Sequence, residues 1–154
     1  MRSKHFVSLI TFFACFAFSS FVVGQLFEKT FDKEILVLLQ QDKENGEKRT
    51  TNEFNLSLVD KSFPSLSAKS EIVSEYAGKS GRINDGGLPQ DFQIAWRKHM
   101  NAWANYSDFL EKSRRAGLDA KDIKRLEIQY GRDINSTYYI VLRVGASYGA
   151  EFPY

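Results

Sequence analysis

Apolar residues recur at helical intervals in three stretches of this chain, and the rhythm weakens in the segment between the first and second. The most regular stretch opens at Pro89. Phe92, His99 and Tyr106 stand seven residues apart. So do Trp96, Trp103 and Leu110, and so do Ala95, Ala102 and Phe109. Three adjacent columns at this spacing make a broad apolar stripe along one side of a helix. Pro89 fits the first helical position and Gly117 falls just past Ala116, the usual asymmetry of helix ends. About 26 residues at 1.5 Å rise give a rod of roughly 40 Å.

A second helical pattern follows after a turn of two or three residues. Asp119 is a suitable N-cap. Ile123, Tyr130, Thr137 and Val144 form one column, and Ile134, Val141 and Tyr148 its neighbour. Gly149 is a natural stop. Gly131 interrupts the pattern at a cost of about 1 kcal/mol relative to alanine, which makes a kink there an open question. Two long helices joined by so short a turn must run antiparallel.

Nearer the N-terminus, Phe27, Phe31, Ile35, Leu38 and Leu39 recur at three- and four-residue steps. Asn45-Gly46 reads as the stop of that helix. The segment 46–88 is richer in Ser, Gly and Lys. Phe54, Leu56 and Leu58 alternate with Asn55 and Ser57, which suggests a short strand, without an evident partner. Ser67 to Ala77 has room for a short helix closed by Gly78, with Ile72, Val73 and Tyr76 on its apolar side, but the signal is weak. Gly78 to Gly87 reads as a flexible connection.

The pattern therefore predicts an all-α fold. Its centre is a long antiparallel helical hairpin, about 90–116 and 119–148. An additional N-terminal helix over about 27–44 packs on it, and a poorly structured middle segment, 46–88, serves as a polar linker.

The first 24 residues belong to another class. Arg2, Lys4 and His5 precede an uncharged run from Phe6 to Val23, and Gly24 follows. A basic start, an apolar core and a small residue at the end are the marks of a secretory signal peptide cut near Gly24. The competing reading is a membrane anchor over residues 6–23, since the run just reaches spanning length. A lipoprotein cut before Cys15 fits less well, because Phe12 and Phe13 are bulky and the residues after Cys15 stay apolar. The expected location is therefore periplasmic or secreted, with contact to membrane only through this segment if it is uncleaved.

That export reading changes the charge. The whole chain is +2, from 21 basic and 19 acidic residues. Arg2 and Lys4 lie in the leader and no acid does, so the part that follows is formally neutral. A neutral chain has no electrostatic reason to bind nucleic acid. Cys15, the single cysteine, would leave with the leader, so thiol catalysis, disulfides and Cys-ligated zinc are not expected. His99 is the one histidine left, which argues against a multi-histidine metal site within one chain. No metal or cofactor is expected.

Candidate chemistry narrows to one face. Trp96, His99 and Trp103 share a side of the first hairpin helix. They read chiefly as packing. The competing reading is a pocket for a small apolar or aromatic ligand, haem included, between helices at these three residues. Tyr106, Tyr138 and Tyr139 extend the candidate contact set, since amphipathic aromatics favour interfaces. Tyr138 and Tyr139 are adjacent and cannot both point into one core. Three Asn-X-Ser/Thr sequons, at Asn55, Asn105 and Asn135, are glycosylation sites only in a host with that machinery. No nucleophile elbow or phosphate loop accompanies these residues. The function expected is a non-enzymatic interaction or structural module, with an unidentified protein partner or self-association.

Overall fold

The computed structural model describes residues 30–59, 66–118 and 120–152. Among them lie four helices and no strand: α1 (Asp32–Val59), α2 (Leu66–Ser80), α3 (Gln90–Ala116) and α4 (Ala120–Ser147). The fold is all-α. The leader expected over 1–24, the helix start expected at Phe27 and the cap expected at Asp119 lie outside the described residues.

The α3–α4 hairpin matches its expected bounds. Every residue of the three α3 columns is buried except Ala102, which is partly so. Pro89 sits one place earlier than expected, at the N-cap itself. Nearby, the Asp91 carboxylate accepts the Phe92 N–H at 2.8 Å and the Tyr148 hydroxyl at 2.8 Å, tying the start of α3 to the end of α4. At the other end Gly117 takes a left-handed φ of 63°. The Gly117 and Leu118 amides both return to the Ser113 carbonyl, a termination that favours glycine. Helix α4 passes through Gly131 without a break.

Several expectations for the middle of the chain fail. Helix α1 does not stop at Asn45-Gly46; it runs on to Val59. Gly46 costs the helix propensity, but its neighbours offset that. Gln40 bonds Glu44, Lys43 faces Glu47 at 3.8 Å, and Arg49 binds Glu53 at 2.8 Å, all at i,i+4 spacing. The supposed strand at 54–58 is the last turns of this helix: Phe54 and Leu58 alternate with polar residues, yet they also stand four apart. The polar linker of 46–88 is thus mostly helix, since α2 spans Leu66–Ser80 and does not end at Gly78. The loop after it is pinned rather than loose. Ile83 and Leu88 make turn hydrogen bonds to Ser80 and Asp85, and Asp85 is clasped by Arg97 at 2.8 Å.

Packing follows chain order: α1 on α2, α2 on α3, α3 on α4. The N-terminal helix accordingly reaches the hairpin largely through α2, which lies within the segment expected to be a polar linker. Helix α1 and α4 scarcely touch. Where they do, Ile35 sits 3.3 Å from the point a Gly145 Cβ would occupy, so glycine there lets the helices close. The core runs from Ile35, Leu38 and Leu39 through Val73 and Tyr76 to Phe92, Trp96 and Leu110, and on to Val141. Each large side chain buried there contributes roughly 1.5–3 kcal/mol.

Candidate functional site

The six residues singled out as contacts divide between interior and surface. Trp96 and His99 are enclosed, at 1% and 2% exposure. Trp103 and Tyr106 are also buried. Tyr138 is half-buried, while Tyr139 is 65% exposed. The adjacent tyrosines split as steric reasoning requires.

The interior members belong to a file of rings. Tyr76 meets Trp103 edge-on at 4.6 Å between centroids. Trp103 leads to Tyr106 at 6.3 Å, and Phe109 stacks on Tyr130 at 4.8 Å. His99 lies 5.1 Å from Tyr138 and 6.0 Å from Trp96. Such pairs contribute about 0.5–1.5 kcal/mol each beyond area burial.

His99 is held as a neutral imidazole. Its Nδ1 lies 3.0 Å from the Thr137 hydroxyl. Thr137 bonds in turn to the Asp133 and Ile134 carbonyls, both at 2.9 Å. Burial pushes the imidazole down to about 4, against a smaller opposing effect of the Ile134 backbone. The ring is a partner in α3–α4 packing. Two clefts lie near this cluster. One, of about 260 Å³, is bounded by Trp96, Met100 and Ala77; the other, of about 630 Å³, by Tyr138, Tyr76 and Arg49. Neither is lined by His99.

A second polar group, which sequence reasoning missed, sits where α1 meets α2. Asp42 is 5% exposed and accepts the Tyr76 hydroxyl at 2.8 Å. Burial raises its carboxyl above the ordinary range, opposed by hydrogen bonds from Ser80 and Tyr76 and by the charge of Arg49. The same burial, with the carboxylate beside it, raises the Tyr76 phenol. Asn45 donates to Ser80 at 3.2 Å and completes the group. The Arg49 guanidinium lies over the Trp103 ring at 4.8 Å and the Tyr76 ring at 5.6 Å. Farther along, Glu127 of α4 accepts Tyr106 at 3.1 Å and pairs with Lys69 of α2 at 2.7 Å. The signal for Asp42 was present: it stands seven residues after Ile35, on the apolar face. Nothing in a single sequence names Tyr76 or Glu127 as partners, because those contacts span long separations.

These groups bond to one another across helix interfaces. Among the described residues, no three of His, Cys, Asp and Glu gather as a metal site, and no helix is long and apolar enough to cross a membrane. Asn55, Asn105 and Asn135 all lie on exposed helix surface.

No family model, curated protein or solved structure matches this chain.

Proposed function

We propose that this chain is an exported, non-enzymatic interaction or structural module acting in the periplasm or outside the cell. The carrying observation is the contrast between interior and surface. His99, Asp42, Tyr76 and Tyr106 are engaged with other helices and lie inside. Meanwhile Phe54, Leu58, Ile128 and Tyr139 are exposed by 54–65% on α1 and α4. Large apolar side chains offered to solvent on two helices are surface available to a partner.

The test places a photo-crosslinking amino acid at Tyr139, and separately at Phe54, in cells that export the protein. The reading expects adducts of discrete mass from both positions and few from Lys98 on the outer side of α3. Smears of equal intensity from all three sites would defeat it. The competing reading, a small apolar or aromatic ligand near Trp96, His99 and Trp103, draws support from the 260 Å³ cleft against Trp96. It expects visible-light absorption in the purified protein, or a ligand-dependent rise in melting temperature.

A further inference from the structure

Near the end of the hairpin where α3 gives way to α4 lies a hollow of about 430 Å³. That volume is within the range of small-molecule sites, about 300–1,000 Å³. Phe109 and Ser113 of α3 line it, as do Leu126 and Tyr130 of α4. Each pair stands four residues apart, so one turn of each helix forms a wall. Asp108 and Lys112, both exposed, line the same hollow from the outer edge of α3.

Ser113 is the unusual group among these. It is 1% exposed, and its Oγ has no hydrogen-bond partner among the described residues. Other hydroxyls in these helices bond back to a carbonyl three or four residues earlier: Thr50 to Gly46, Thr51 to Glu47, Thr137 to Asp133 and Ser147 to Val144. Ser113 does not. Its own carbonyl is already taken by the Gly117 and Leu118 amides. A buried hydroxyl left without a partner costs free energy, and a ligand that pairs with it recovers that cost.

The rest of the lining selects the ligand. The Phe109 and Tyr130 rings stack at 4.8 Å and 25°, and a further flat ring packs well against such a pair. Leu126 adds an aliphatic wall. Asp108 and Lys112 bring one charge of each sign to the edge, so the lining favours no net charge. A hydroxyl both donates and accepts, which makes an uncharged hydroxyl the matching group for Ser113.

We propose that this hollow binds a small neutral aromatic compound carrying a hydroxyl group, its ring against Phe109 and Tyr130 and its hydroxyl paired with that of Ser113. The site is separate from the cleft against Trp96. It does not depend on the interaction reading either, since neither Phe54 nor Tyr139 lines it.

Phenol and toluene are the probes, because they share a ring and differ in one group. Binding is followed by amide chemical shifts of the purified protein in NMR titrations. A merely apolar hollow prefers toluene, which water solvates less well. Wild type prefers phenol, with saturable shifts centred on residues 109–116 and 126–130. Ser113→Ala weakens phenol about tenfold, leaves toluene unchanged and so reverses the order. Without ligand, the melting temperature of Ser113→Ala is no lower than that of wild type, because no hydrogen bond within the chain is lost. Ala116→Trp, at an exposed position lining the hollow, fills it and abolishes binding of both probes while circular dichroism stays helical. Ala104→Trp, at an exposed position lining the Trp96 cleft, leaves phenol binding intact. The absence of a saturable phenol shift overturns the proposal. So does a wild-type preference for toluene, phenol affinity indifferent to Ser113→Ala, or loss of binding in Ala104→Trp alone. Each of these results leaves the crosslinking test of the interaction reading untouched.

Discussion

A histidine enclosed by Trp96, Thr137 and Tyr138 has to stay neutral, and that makes stability depend on pH. The folded imidazole titrates near 4 against an ordinary value of 6.5. The unfolded chain therefore binds this proton first as pH falls. The stabilisation is full above 6.5 and is lost progressively toward 4, by about 3 kcal/mol at most. Asp42 works in the opposite sense. Its raised carboxyl takes up a proton more readily folded than unfolded, so that penalty is relieved as pH falls. Urea titrations at pH 7.5 and 4.5 check the sign. Wild type loses stability at the lower pH, and His99→Gln, which has no proton to gain, loses distinctly less. If the variant falls as far as wild type, the imidazole is not the cause. Packing at the same face is tested separately. Trp96→Ala and Trp103→Ala each cost about 3–5 kcal/mol, whereas His99→Gln at pH 7.5 costs much less. Unchanged melting temperatures in both tryptophan variants would show the rings are not core.

At the scale of the element, the hairpin was legible and the middle was not, for identifiable reasons. In α3 and α4 the apolar columns are long, capped by Pro89 and Gly117, and packed against each other, so local pattern and tertiary contact agree. The second half of α1 exposes Phe54 and Leu58, so a stripe that should face a core instead alternates with Asn55 and Ser57. A period of two and a period of four cannot be told apart over five residues. Gly46 is a stop on propensity alone, and the i,i+4 pairs around it carry the helix through. The candidate site was half legible: Trp96, His99 and Trp103 follow from periodicity, but the Asp42–Tyr76 and Glu127–Lys69 partnerships depend on which helices meet. The two helix glycines make the tertiary dependence measurable. Gly131→Ala, with nothing within 4 Å of the new methyl, raises stability by up to about 1 kcal/mol through propensity alone. Gly145→Ala has the same propensity gain but drives a methyl to 3.3 Å from Ile35 and 3.6 Å from Phe92. It destabilises on balance, because a packed core resists added volume. Thermal melts of the two variants should move in opposite directions.

For the whole molecule, chain-order packing sets an unequal distribution of stability. Helix α3 is covered by α2 on one side and α4 on the other, and it carries the densest run of buried residues. Helix α1 leans on α2, and beyond Arg49 most of its residues are exposed. Opening the far end of α1 exposes little apolar surface, whereas opening α3 exposes the core. Amide hydrogen exchange should therefore rank the centre of α3 slowest, at the global unfolding free energy, and α1 residues 50–58 fastest among the described helices. Exchange from α1 residues 50–58 as slow as from the centre of α3 would mean that the exposed end of α1 opens only with the whole fold, and that contacts along α2 hold it there as firmly as they hold the core.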